Sequence, residues 1–76
     1  MKDLIHSIIE ALVDDVEAIK VEEITGNQTN IIELQVHKSD MGKVIGKQGR
    51  TADAIRTIIN CASAKAKKKY LLKIVD

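Results

Sequence analysis

Apolar residues change their spacing along this chain of 76 residues, and the changes mark its elements. Leu4, Ile5, Ile8, Ile9 and Leu12 fall at i, i+1, i+4, i+5 and i+8. That is one stripe at period 3.6, and it predicts an amphipathic helix over residues 3–15. Ile19 and Val21 then alternate with Lys20 and Glu22, which predicts a strand over 18–25. Ile24 falls out of phase, so a bulge or an end to the strand is expected near Glu23. The clearest alternation covers 30–37, with Ile32, Leu34 and Val36 on one face and Glu33, Gln35 and His37 on the other. Gly26-Asn27-Gln28 separates the two runs, and the pair reads as an antiparallel hairpin.

Ser39 and Asp40 are suited to cap a short helix that runs to Val44 or Ile45. Gly46 to Gly49 turns the chain. Residues 50–64 form the longest helical pattern, with Ile55, Ile58, Ile59 and Ala62 inward and Arg50, Asp53, Arg56 and Asn60 outward. Residues 63–69 are a polar, lysine-rich connection whose alanines are able to prolong the helix. A last strand follows over 70–75, with Leu72 and Ile74 on one face. The order is α-β-β-α-α-β. A helical crossover between the second and third strands requires them to be parallel. The expected fold class is α+β: a three-stranded mixed sheet with three helices packed on one face, residues 1–76 making one domain.

Composition narrows this further. Tyr70 is the only aromatic residue and proline is absent, so aliphatic side chains must fill a small core. No apolar run approaches the roughly 20 residues of a membrane span. Asp3, His6 and Glu10 interrupt the first apolar stripe, which excludes a signal peptide. Cys61 has no second cysteine to pair with and fits a reducing compartment; its place near the inward stripe predicts a small core residue. His6 and His37 lack metal-ligand spacing. Asp14, Asp15, Glu17, Glu22 and Glu23 lack the calcium-loop pattern and read as a solvated acidic face. No metal, cofactor or small-molecule substrate is expected. No motif joins a nucleophile, a base and a charge stabiliser, so an enzyme is not expected either.

The formal net charge of +1 conceals a segregation. Residues 1–40 carry three lysines against nine acids, a net of −6. Residues 41–76 carry nine Lys or Arg against two acids, a net of +7. The basic half contains Gly42-Lys43-Val44-Ile45-Gly46-Lys47-Gln48-Gly49-Arg50. Two glycines spaced G-x-x-G lie between two predicted helices, with positive charge on either side. Such a turn can approach a sugar-phosphate backbone closely, because bulky residues at Gly46 and Gly49 would hold it away. Lys43, Lys47 and Arg50 supply charge for phosphates.

A lone G-x-x-G is weak, since glycine ends many helices. The longer string from Asp40 to Ile59, D-M-G-K-V-I-G-K-Q-G-R-T-A-D-A-I-R-T-I-I, is far more specific. With the element order, it resembles a KH domain of the type II (bacterial) topology. Within that group it resembles the small stand-alone RNA-binding proteins of the KhpA family, over essentially the whole chain. The resemblance implies binding of single-stranded RNA, with a GXXG loop clamping about four nucleotides. Gly46, Lys47, Gln48 and Gly49 would lie against phosphates, flanked by Lys43 and Arg50. Val44, Ile45, Ala52, Ile55 and Leu72 would form the apolar wall of a base groove, and Lys67, Lys68 and Lys69 its opposite, basic lip. It also implies a cytoplasmic protein, self-association, and pairing with a larger bacterial protein that carries a KH-like domain. The family is tied to RNA chaperoning, post-transcriptional regulation and cell shape, which no residue here encodes.

Two functional classes follow. One is a non-catalytic RNA-binding module. The other is a protein-interaction module that keeps the fold for dimerisation or docking and has little RNA affinity. The intact loop favours the first. The lack of aromatics for base stacking, worth about 1–3 kcal/mol per base, argues for weak binding carried by phosphates.

Overall fold

A computed structural model describes residues 1–75. Helix α1 (Lys2–Glu10) is followed by a 3-10 turn (Val16–Ala18) and strands β1 (Lys20–Thr25) and β2 (Thr29–Gln35). A second 3-10 turn (Lys38–Asp40) leads into α2 (Met41–Ile45). A third (Lys47–Gly49) leads into α3 (Arg50–Ala66), and β3 (Lys69–Val75) ends the described chain. The sheet order is β1-β2-β3, with β1 antiparallel and β3 parallel to β2. The α+β order, the mixed sheet and the three helices are those expected.

Alternation along β2 decides which face is covered. Asn30, Ile32 and Leu34 are buried beneath the helices, while Ile31, Glu33 and Gln35 point to the other side. Ile5 and Ile9 of α1, Val44 of α2, and Ile55 and Ile59 of α3 close over Ile32 and Leu34 in one aliphatic cluster. Each of these fully buried side chains contributes about 1.5–3 kcal/mol relative to exposure. Buried Asn30 is satisfied within the hairpin: its Oδ1 accepts the Gly26 N–H at 3.4 Å and its Nδ2 donates to Glu23 at 3.1 Å.

Several expectations need correction. Helix α1 ends at Glu10, earlier than the predicted 15, because the chain turns to bury Val13 and deliver Ile19 to the core. No bulge forms at Ile24, and the ladder runs regularly to Thr25 opposite Asn30. Ile24 is out of phase because it faces the uncovered side of the sheet, 49% exposed. Ile58 and Cys61 are exposed as well, because the buried stripe of α3 is only as wide as Ala52, Ile55 and Ile59. The predicted caps also differ. His37 Nδ1 accepts the Ser39 N–H at 3.1 Å and caps the turn before α2, while the Asp40 carboxylate reaches elsewhere.

Candidate nucleic-acid interface

The sequence around the glycine pair builds a loop that other residues would not form. Gly46 ends α2 at φ 77°, ψ 173°, a combination that is essentially glycine-only. A Cβ there would collide with the Thr51 hydroxyl and lie 2.8 Å from the Thr51 backbone nitrogen. Gly46 therefore lets the start of α3 fold tightly back on the end of α2. Gln48 and Gly49 follow in left-handed conformations, at φ 58° and 75°. Gly49 differs from Gly46 in its surroundings, since the space where its Cβ would stand is open. That openness is what a close-approaching backbone requires.

The loop's charges are not equivalent. Lys47 is exposed and, among the described residues, forms no ion pair. The Arg50 guanidinium leans on the Gln48 side-chain oxygen at 3.5 Å and has no carboxylate partner among the described residues. Lys43, expected to be free beside them, is held by a charge cluster with Asp14 and Asp40. Its ammonium pairs with Asp14 and lies 3.5 Å from Asp40. The hydrogen bond to Asp14 raises the Lys43 pKa, reinforced by the charges of Asp14 and Asp40. Asp40 is buried, and its carboxylate accepts the Asp15 N–H at 3.0 Å. That bond is the largest influence holding the Asp40 pKa below the usual carboxylate range.

The expected apolar wall is mostly not a surface. Val44, Ala52 and Ile55 are buried in the core, so only Ile45 and Leu72 remain to touch a base. These three were expected in the groove because apolar residues next to a loop suit a core and a groove equally well. What borders α3 on the side of the β3 edge is a cleft of about 240 Å³, lined by Arg56, Ile59, Asn60, Tyr70, Leu71 and Leu72. Arg56 and Asn60, four residues apart on α3, give it polar reach. The spacing held that signal, but nothing in it said which helix face would meet the last strand.

Lys67, Lys68 and Lys69 are exposed at the far end of α3 and, among the described residues, form no ion pair. A helix of 17 residues separates them from the loop, roughly 25 Å at about 1.5 Å per residue. The Lys69 N–H donates to the Gln28 carbonyl at 3.4 Å, so this lysine turn sits beside the hairpin loop. Lys67 closes α3 in the left-handed region at φ 56°, with its N–H on Ala64 O and that of Lys68 on Ser63 O. Among the described residues no cluster of His, Cys, Asp and Glu is placed to hold a metal ion. Among the described residues no helix is long and apolar enough to cross a membrane.

A mixed sheet under three helices, with a glycine-bracketed basic turn between the second and third of them, defines a KH domain. The comparisons narrow the class. The family model described as KhpA/KhpB, KH domain matches residues 2–74. The RNA-binding protein KhpA of Caldanaerobacter subterraneus is 52% identical over 75 residues, covering 99% of this chain and 100% of the relative. Its namesake in Clostridium acetobutylicum is 49% identical over 75 residues, with the same shares covered. That of Bacillus subtilis is 47% identical over 76 residues, covering 100% of this chain and 94% of the relative. The chain belongs to the KhpA/KhpB KH-domain family. No solved structure matches it.

Proposed function

We propose that this protein binds single-stranded RNA without catalysis, through the Gly46–Gly49 loop and the cleft between α3 and β3. The observation that carries the reading is the open approach over Gly49 beside the charges of Lys47 and Arg50, which have no carboxylate partner among the described residues. Full-length relatives named as RNA-binding proteins support it. Phosphates lie along the loop, and bases enter toward Ile45, Leu72, Arg56 and Asn60. The lysines at 67–69 take up the strand at the far end of α3.

With about three to five phosphate contacts, log K falls with log salt at roughly −0.7 per contact. Without a stacking aromatic on the loop side, affinity is modest and sequence preference weak. Useful binding then needs avidity, from a second copy of this chain or from a larger KH-like partner with its own RNA site. Such a module acts in the cytoplasm as an RNA chaperone or post-transcriptional regulator.

The test is fluorescence anisotropy of labelled single-stranded RNA across a salt series, with wild type beside a Lys47→Asp/Gln48→Asp variant of verified fold. Aspartate tolerates the left-handed conformation at position 48, so the double variant keeps the loop. Binding by wild type with a negative salt slope, lost in the variant, supports the reading. Equal binding by both moves the site away from the loop. No binding by either leaves the fold as a protein-interaction module.

A further inference from the structure

Two turns meet at the far end of α3, and neither carries an acid. The lysine turn lies within residues 54–75 and the hairpin turn within 24–32, and both stretches lack Asp and Glu. The Lys69 N–H donates to the Gln28 carbonyl at 3.4 Å and sets the two turns side by side. In register, Lys69 stands beside Thr29 and Tyr70 beside Asn30. Four ammoniums, on Lys65, Lys67, Lys68 and Lys69, fall within five residues on one side. On the other side Asn27 and Gln28 are exposed. Among the described residues their side-chain amides have no hydrogen-bond partner.

The hairpin turn is held in shape from beneath. Asn30 is 1% exposed on the strand face that Ile32 and Leu34 share. Its amide accepts the Gly26 N–H and donates to Glu23, so both ends of a buried polar group are satisfied by the turn and its flank. Gly26 closes the turn tightly, since a Cβ there would stand 2.5 Å from the Thr29 carbonyl oxygen. Asn27 and Gln28 are therefore presented from a fixed backbone, which lowers the ordering cost of any contact they make.

We propose that the hairpin turn is a second contact site for single-stranded RNA, in which the Asn27 and Gln28 amides hydrogen-bond base edges while the lysine turn holds the phosphates. This rests on the RNA reading above and extends the strand's path beyond the glycine loop. Each primary amide sets a donor beside an acceptor, a pattern that complements the Watson–Crick and Hoogsteen edges of unpaired bases. The cleft between α3 and β3 leads there, because half-buried Tyr70 lines it and directly follows Lys69. That cleft favours RNA over an acidic peptide, which the lysines alone would also attract. The 17 residues of α3 separate the two ends of the path by roughly 25 Å. A strand stacked at about 3.4 Å per nucleotide needs roughly seven nucleotides to cover it. The four or so that the glycine loop clamps do not reach the hairpin turn, and a strand of ten does.

Nuclear magnetic resonance on the isotope-labelled full chain tests this, because the side-chain NH2 groups of Asn27 and Gln28 give signals of their own. The probes are a tetramer and a decamer of mixed-sequence single-stranded RNA. The tetramer should shift the backbone amides of Gly46 to Gly49 and leave the hairpin signals in place. The decamer should shift both sets and bind about thirtyfold more tightly, well above the roughly sevenfold gain that extra registers alone provide. Asn27→Ala/Gln28→Ala should lose most of that gain with the salt slope unchanged, since no charge is removed. Lys68→Gln should make the slope shallower by about 0.7, with the decamer only. Unshifted core signals verify the fold of each variant. Loop signals that shift with the decamer while those of Asn27 and Gln28 stay in place overturn the proposal and leave the loop reading standing. Hairpin signals that shift equally with the tetramer overturn it too, as does a double variant that keeps the full gain. No shift at the loop with either RNA is the failure of the RNA reading itself, and this proposal falls with it.

Discussion

The backbone N–H of Asp15 donates to the buried carboxylate of Asp40 at 3.0 Å, across 25 residues of sequence. The bond ties the segment after α1 to the start of α2, the helix whose far end leads into the glycine loop. Bonding and the nearby Lys43 ammonium lower the Asp40 pKa, so the folded state holds this proton less well than the unfolded chain. A depressed carboxylate contributes stability that is present above its unfolded pKa, about 4, and lost as pH falls through its lower folded value. Thermal melts should therefore show a stability loss beginning below about pH 4. In Asp40→Asn that acid dependence should be reduced, with the midpoint at neutral pH also lower than in wild type. Equal acid dependence in both would show that Asp40 does not carry the linkage.

Lys43 is the second member of that cluster, and its charge is engaged by Asp14. An RNA phosphate can recruit Lys43 only by replacing Asp14. Asp14 is exposed and contributes little packing, so Asp14→Asn should leave the fold intact. It should tighten RNA binding at low salt and steepen the salt slope by up to about 0.7, the value of one added single-strand phosphate contact. Anisotropy against salt reads both quantities. An unchanged slope would mean that Lys43 stays with Asp40 and belongs to the scaffold.

The local features of this chain were readable in its sequence, and the long-range ones were not. The hairpin and the glycine loop rest on spacings within ten or so residues, the parallel crossover follows from the order of the elements, and all are present. The pairing of Lys43 with Asp14 spans 29 residues and left no local trace. Ile58 was assigned inward because helical periodicity gives the direction of an apolar stripe but not its width. Only the sheet, meeting α3 along Ala52, Ile55 and Ile59, sets that width. Ile24 was taken to mark a bulge or a strand end because an apolar residue on an uncovered face breaks alternation just as either of those would. Val44 and Ile55 were placed in a groove for the converse reason, since nothing local separates a core wall from a binding wall.

At the far end of α3, Lys67 takes a left-handed conformation that glycine accepts freely. A residue with a Cβ is disfavoured there by about 1–2 kcal/mol. Lys67→Gly should therefore stabilise the fold by up to about 1 kcal/mol after the added flexibility of the unfolded chain is counted. If the lysine turn takes up RNA, the same variant should bind more weakly, with a salt slope shallower by about 0.7. Chemical denaturation and anisotropy measure the two effects separately. A stabilised variant with unaltered binding would remove Lys67 from the interface.

The two loop glycines should fail in different ways when replaced by alanine. At Gly46 the added Cβ meets Thr51 side chain and backbone, in a region of φ and ψ closed to other residues. Strain of that kind costs on the order of 1–3 kcal/mol before the clash is counted. A small domain of this size has little stability to spare, so Gly46→Ala should be largely unfolded or strongly destabilised. At Gly49 there is open space, and the cost is the left-handed conformation alone, about 1–2 kcal/mol. Gly49→Ala should fold, and its methyl group should stand where the RNA backbone approaches. The expected pattern is a large drop in melting temperature for Gly46→Ala, and for Gly49→Ala a small drop with RNA affinity reduced several-fold. A folded Gly49→Ala variant with undiminished affinity would show that RNA does not approach the loop over this residue.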